Sequence, residues 1–306
     1  MKVLVIHNLR SGLRNGAIYD FIRTYVEDGD TVTIRTFDGK TPFHQLVEDA
    51  QNYDFVVASG GDGTVSSVCY ELRNTGIPIL PFPSGTANLL SLNLLEPNEP
   101  HALCKVVDEA LTLDFDLGEI ENDQGEKRGF AIMAGCGYDE VIMRTATEHK
   151  RLLGDAAYVE AAVAHPTPQV STFTLTVDGE VFESSGIGVV LANFSKLQFD
   201  LMVSDANLPR DGKLDLIVLK AKNAFELIPT VMAKVVDHSG AIAKKMGILE
   251  IYRGSEIRVE AEPAMLMEYD GEPPVISTPF TARALPQATR FIVTEECHNL
   301  FEPKHN

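Results

Sequence analysis

Few stretches leave a chain as little freedom as Ser59-Gly60-Gly61-Asp62-Gly63-Thr64, which follows an apolar strand, Phe55–Ala58, and opens a helix running through Val65, Val68 and Leu72. Three glycines there incur a backbone entropy that a simple connection need not, and they let backbone N–H groups approach an anion with no Cβ in the way. The helix N-terminus adds partial positive charge at the same point. The corner is therefore suited to phosphate. Asp62 in its middle would repel a phosphate unless a divalent cation or a ribose hydroxyl lay between them. Together these features point to a nucleotide-using phosphotransferase.

The flanking sequence repeats the same strand-to-helix rhythm. Strands are expected at Val3–Ile6, Thr31–Thr36 and Ile77–Leu80, and helices at Ala17–Val26, Phe43–Ala50 and Asn98–Ala110. In the first helix Ile18, Phe21, Ile22 and Tyr25 share one face. Strands separated by helices of this length imply a doubly wound, mostly parallel sheet. Ligands of such sheets bind at the carboxyl ends of strands. Asn8–Gly12, Gly60–Thr64 and Pro83–Asn88 all fall on that edge.

After about Asp114 the pattern changes to strands of alternating polarity: Phe130–Ala134, Thr172–Val177, Val181–Ser184, Ile187–Ala192, Leu214–Leu219, Glu256–Val259, Met265–Tyr269 and Thr278–Arg283. Helices at about Asp155–Ala164 and Ala224–Val235 interrupt them. This reads as an antiparallel β-sandwich. The expected division is an α/β domain over residues 1–115 and a sandwich over 116–287, which a chain of 306 residues is long enough to build.

Charge narrows the partners. With a net charge of −18 and no Lys/Arg stripe to offset it, the chain is not a general nucleic-acid binder, nor would bulk electrostatics dock it on an anionic bilayer. Phosphate binding must then rely on backbone N–H groups and a bound metal. Cys69, Cys104, Cys136 and Cys297 form no metal spacing and read as buried thiols of a reducing cytosol. The eight histidines show no ligand spacing either. The opening Met1–Asn8 has too short an apolar run for a signal peptide, and no run approaches a membrane span, so a cytoplasmic protein is expected.

Five motifs in order resemble those of the diacylglycerol kinase-like lipid kinases, particularly the soluble bacterial ones, along the whole chain. Asn8-Leu9-Arg10-Ser11-Gly12 is similar to the family's Asn-Pro-x-Ser-Gly loop, with leucine where proline is usual. Gly60–Thr64 matches its Gly-Gly-Asp-Gly-Thr signature, and Gly85-Thr86-Ala87-Asn88 its Gly-Thr-x-Asn element. Gly135–Asp139 resembles the Gly-x-Gly-x-Asp turn, and Asp270-Gly271-Glu272 the late Asp-Gly-Glu motif. The resemblance implies an ATP-binding α/β domain, a lipid-binding sandwich, an active site in the cleft between them, and residues 288–306 returning to the first domain. It implies ATP contacts at Asn8, Ser11, Gly12, Thr36, Gly60, Gly61, Asp62, Gly63, Thr64 and Thr86. For Thr36, a plain β-branched strand residue is the competing reading.

Phosphoryl transfer to an alcohol needs positioning, neutralisation by Mg²⁺ and an acceptor for the hydroxyl proton. By resemblance the acceptor is Asp270 or Glu272, with Asp62 on the metal side. The chain repeats the tripeptide at Asp178-Gly179-Glu180, where Asp-Gly reads as a hairpin turn; local sequence does not separate the two copies. Leu208–Asp215 resembles a family segment that binds a structural magnesium. The Asp211 side chain and the Leu208 and Lys213 carbonyls would ligate it, Asp215 is the alternative carboxylate, and an ordinary turn is the competing reading.

At Leu89 the family commonly carries an acidic residue, which leaves the metal to Asp62 and Asp139, with Glu96 as a further carboxylate. His149–Gly154 and Lys244-Lys245 are either lipid-facing patches or solvated helix ends. The expected activity is an ATP- and Mg²⁺-dependent kinase of diacylglycerol or a related lipid taken from a membrane surface, with peripheral membrane association. Exposed sheet edges would suit a homodimer. NAD kinase, which shares the Gly-Gly-Asp-Gly-Thr turn, and a nucleotide- or lipid-binding protein without catalysis are the alternatives.

Overall fold

The structure is a computed structural model, and it describes residues 1–11, 16–26, 29–137, 168–194, 208–220, 249–269 and 272–302. The helices expected at 155–164 and 224–235 lie outside the described residues. The chain divides into two compact units, Met1–Leu117 with Leu285–Asn306, and Gly118–Ala284.

In the first unit, strands β1 (Lys2–Asn8), β2 (Thr31–Phe37), β3 (Phe55–Gly60) and β4 (Pro78–Pro83) alternate with helices α1 (Ala17–Tyr25), α2 (Phe43–Leu46) and α3 (Asp62–Glu71). Helices α4 (Leu89–Asn93) and α5 (Pro100–Glu109) then lead into β5 (Thr112–Asn122). The sheet order is β2-β1-β3-β4, extended by the end of a late strand, β16 (Phe280–Ile292), and every pairing in it is parallel. The order reverses between β1 and β3, so the crevice of the doubly wound sheet opens at their carboxyl ends.

Strands β1, β3 and β4 are largely apolar because both their faces are covered, whereas the edge strand β2 is partly exposed along its length. Val3 and Val5 join Ile18, Phe21 and Tyr25 of α1 and Leu103, Val106 and Val107 of α5 in one core, while Leu4 and Ile6 are fully buried on the opposite face. Pro100 begins α5 and Ala110, in the left-handed region, ends it. Helix α6 (Glu295–Phe301) is capped by Thr294, whose hydroxyl accepts from the Cys297 N–H at 3.1 Å.

Helix α2 is shorter than the expected Phe43–Ala50. Arg35 donates to the Leu46 carbonyl at 2.8 Å and grips Asp49 through two hydrogen bonds of 2.6 and 2.9 Å. The chain turns there into a single 3₁₀ turn at Ala50–Asn52. A tertiary ion pair decides where this helix stops.

The second unit packs two antiparallel sheets. One joins the start of β16 to β13 (Glu256–Glu262), β8 (Ser171–Val177) and β9 (Glu180–Gly186), with β5 and β6 (Lys127–Phe130) paired beside it. The other runs β12 (Leu249–Gly254), β11 (Leu214–Leu219), β10 (Gly188–Ala192), β7 (Met133–Gly137), β14 (Leu266–Tyr269) and β15 (Glu272–Ser277). Phe130, Phe173, Leu175, Ile257 and Phe280 of the first sheet meet Val189, Leu191, Leu214, Leu216 and Met267 of the second in one core. Burying each such side chain contributes about 1.5–3 kcal/mol.

The expected strand Phe130–Ala134 is in fact the end of β6 and the start of β7. Asn193 divides them, its side chain donating to the Ala131 carbonyl and its backbone N–H to the Ile132 carbonyl, each at 2.8 Å. The stretches expected at Thr278–Arg283 and Thr289–Val293 form one strand, β16: Glu256–Val259 pair with its start and β4 with its end.

Candidate active site

Three polar loops leave the carboxyl ends of β1, β3 and β4, and they are tied directly to one another. The Asn8 side chain donates to Thr64 Oγ1 at 2.8 Å, joining the first loop to the first turn of α3. Ser11 Oγ donates to the Ser84 carbonyl at 3.1 Å, and the Ser84 N–H to the Gly60 carbonyl at 3.2 Å. Asn8 also shapes its own loop, its Oδ1 accepting from the Arg10 N–H and its carbonyl from the Ser11 N–H. Thr36 sits beside this edge on β2, opposite His7 of β1, and is exposed. Thr86 is exposed on the third loop. Gly12 lies outside the described residues.

The glycines hold the loops close. A Cβ on Gly85 would stand 2.4 Å from the Gly61 Cα, so the second and third loops meet backbone to backbone. A Cβ on Gly60 would overlap the Thr64 side chain. Gly61 caps α3 in an extended conformation, and Gly63 and Thr64 are buried in its first turn. Asn88, left-handed at φ 50°, caps the Gly85 N–H through its side chain at 2.8 Å.

Asp62 heads α3, and its Oδ1 accepts from the Leu90 N–H at 3.0 Å, so it caps the start of α4. Leu89, where the family commonly has an acid, is buried. Glu96, just beyond α4, is buried as well, and desolvation pushes its carboxyl up to about 8. Magnesium carried on a triphosphate needs only one or two protein carboxylates. Among the described residues no group of three or more His, Cys, Asp and Glu could hold a metal by itself. A donor set of Asp62 with nucleotide phosphates and water fits such an ion; Asp139 lies outside the described residues.

Sequence reasoning passed over a polar chain beneath these loops. His7 Nδ1 lies 2.9 Å from Ser59 Oγ, which lies 2.9 Å from Ser84 Oγ. Burial lowers the His7 pKa, which favours the neutral ring. The available signal was a polar residue at or just past the end of each strand: His7 in β1, Ser59 in β3 and Ser84 after β4.

The two Asp-Gly-Glu copies part company. Asp178 (φ 48°) and Gly179 (φ 88°) form a two-residue hairpin between β8 and β9 with Val177 opposite Glu180. Asp178 Oδ1 accepts from the Ser255 N–H, the Ser255 hydroxyl and the Glu256 N–H at 2.8–3.0 Å, a wholly structural use. In the late copy Glu272 begins β15 opposite Tyr269, and Asp270 lies outside the described residues.

The expected structural-magnesium segment leads into β11. Leu208 and Asp211 are exposed, Asp215 is buried within the strand, and Arg253 stands against both carboxylates. The basic stretches at 149–154 and 244–245 lie outside the described residues. No helix among the described residues is long and apolar enough to cross a membrane.

Residues 2–120 match the model of the diacylglycerol kinase catalytic domain, and residues 132–293 that of the YegS C-terminal NAD kinase beta sandwich-like domain. An uncharacterized Synechocystis protein is 28% identical over 84% of this chain, which spans 57% of that protein's length. A diacylglycerol kinase of Mycobacterium tuberculosis is 28% identical over 66% of this chain and 68% of its own. The crystal structure of a diacylglycerol kinase from Bacillus anthracis superposes with a TM-score of 0.74 at 20% identity, covering 96% of this chain and 98% of that one.

Proposed function

We propose, from the premise that this chain belongs to the diacylglycerol kinase-like family of kinases that phosphorylate a hydroxyl acceptor, that it transfers the γ-phosphoryl group of ATP to a hydroxyl of diacylglycerol or a related lipid. One observation carries the reading: the loops of β1, β3 and β4 are hydrogen-bonded into one edge at the reversal point of a parallel sheet. Such an edge presents backbone N–H groups and the start of α3 to a triphosphate, as an acidic protein requires.

In this reading Asn8, Ser11, Gly12, Gly60, Gly61, Gly63, Thr64 and Thr86 hold the nucleotide phosphates, and Thr36 lies toward the rest of the nucleotide. Asp62 holds α4 in place and supplies a carboxylate for Mg²⁺, which when bound neutralises charge on the phosphates. Asp270 or Glu272 takes the proton of the lipid hydroxyl. The lipid comes from a membrane surface, reached by peripheral association of a cytoplasmic protein. A homodimer through an exposed sheet edge is compatible with this arrangement.

The decisive measurement is transfer of labelled phosphate from ATP and Mg²⁺ to a total lipid extract and, in parallel, to NAD, with products identified by mass spectrometry. A labelled glycerolipid phosphate is expected, and Asp270→Asn or Glu272→Gln should lower its rate by about 10²–10⁴-fold. Transfer to NAD instead, or ATP binding with transfer to neither acceptor, would reject the lipid kinase reading.

A further inference from the structure

The turn leading into β11 is where the family resemblance puts a structural magnesium, and its side chains are already engaged. Asp211 accepts from Arg253 Nη2 through Oδ2 at 2.6 Å and from the Lys213 N–H through Oδ1 at 3.1 Å. Arg253 Nη1 also stands 3.6 Å from Asp215 Oδ1, the other carboxylate of the segment. The guanidinium is held by the fold: β11 and β12 pair antiparallel with Asp215 directly opposite Arg253. Strand register thus delivers a positive charge to this spot. A divalent ion ligated by Asp211 would have to sit against that charge, which repels it.

We infer that Arg253 replaces the metal in this chain, its guanidinium serving as a built-in cation that pairs with Asp211, offsets part of the charge of Asp215 beside it and fastens the turn at 208–213 to β12. The chemistry suits the role. An arginine is charged at every working pH, and its planar fork can address two carboxylates at once, whereas a bound ion must be captured from solution. The second unit therefore needs no divalent ion at this place, independently of which substrate the kinase uses.

The test is thermal unfolding of the full chain without nucleotide, in EDTA and in millimolar MgCl₂ or CaCl₂. The wild-type midpoint should be the same in all three to within about 1 °C, while Arg253→Met in EDTA should unfold about 2–4 °C lower. Added Mg²⁺ or Ca²⁺ should restore most of that loss, and the double variant Arg253→Met with Asp211→Asn should regain none. Equilibrium dialysis against either ion gives a second reading that does not depend on any Arg253 variant folding. Wild type and Asp211→Asn should carry the same amount of metal. An additional equivalent in the wild type, a wild-type midpoint raised by Mg²⁺, or an Arg253→Met protein indifferent to both ions would overturn the inference.

Discussion

Glu96 follows α4 with 9% of its surface exposed, and the Ser91 hydroxyl beside its carboxyl offsets only part of the cost of burial. An ionised carboxylate in that position would be strongly disfavoured, and burial raises its pKa from 4.5 to about 8. The folded state therefore holds a proton between those values that the unfolded chain releases. The associated stability is fully present below pH 4.5 and is lost as the pH climbs through 8. Glu96→Gln keeps the shape without the charge. Its unfolding midpoint should match the wild type at pH 4 to within about 1 °C and exceed it by at least about 4 °C at pH 9. Equal wild-type stability at both pH values would show that the carboxyl is not held neutral. Leu94-Leu95-Glu96-Pro97 has no periodicity from which this burial could be read, so from sequence alone Glu96 was only a spare carboxylate for a metal.

At the scale of elements, the meeting of the second and third loops rests on an asymmetric pair of glycines. A methyl group on Gly85 lands 2.4 Å from the Gly61 Cα, whereas one on Gly61 lies 3.6 Å from the Gly85 Cα, an ordinary contact. Gly85→Ala should therefore destabilise by about 1–3 kcal/mol in urea unfolding, and Gly61→Ala by less than about 1 kcal/mol. Equal losses would mean that the loops do not touch there. The three loops were legible in the sequence because glycine and polar residues interrupt strongly apolar strands. In the first sheet β1, β3 and β4 were legible because both their faces are covered. Other elements were set by distant residues: Arg35 ends α2, and Asn193 splits β6 from β7. Strand β5 went unread although Leu113, Phe115 and Leu117 alternate with Asp114 and Asp116. Its carboxylates fell at the expected domain boundary, yet Asp114 pairs with Arg290 at 2.7 Å, and the wholly buried Asp116 accepts from the Gln287 N–H at 2.7 Å.

Over the whole molecule, a net charge of −18 outweighs the cations available to answer it. Arg35, Arg258, Arg283, Arg290 and Lys127 already face carboxylates at 2.6–2.9 Å. Exposed pairs of this kind contribute about 0–1 kcal/mol each, so mutual repulsion of the excess acids should dominate the response to salt. Raising KCl from about 10 to about 150 mM shortens the screening length from about 30 to about 8 Å, and the unfolding midpoint should rise. A fall would mean that the ion pairs contribute more than the repulsion removes. The course of the chain has a consequence of its own. Strand β4 pairs in parallel with β3 on one side and with the end of β16 on the other, and the entire second unit is encoded between β4 and that end. On the ribosome, β4 therefore emerges with one rim bare, and at about 5–20 residues per second it waits on the order of ten seconds or more for its partner to be made. Throughout that interval the nascent chain carries an open strand border able to recruit a neighbour's backbone, which makes this stretch of synthesis the moment when a chaperone matters most.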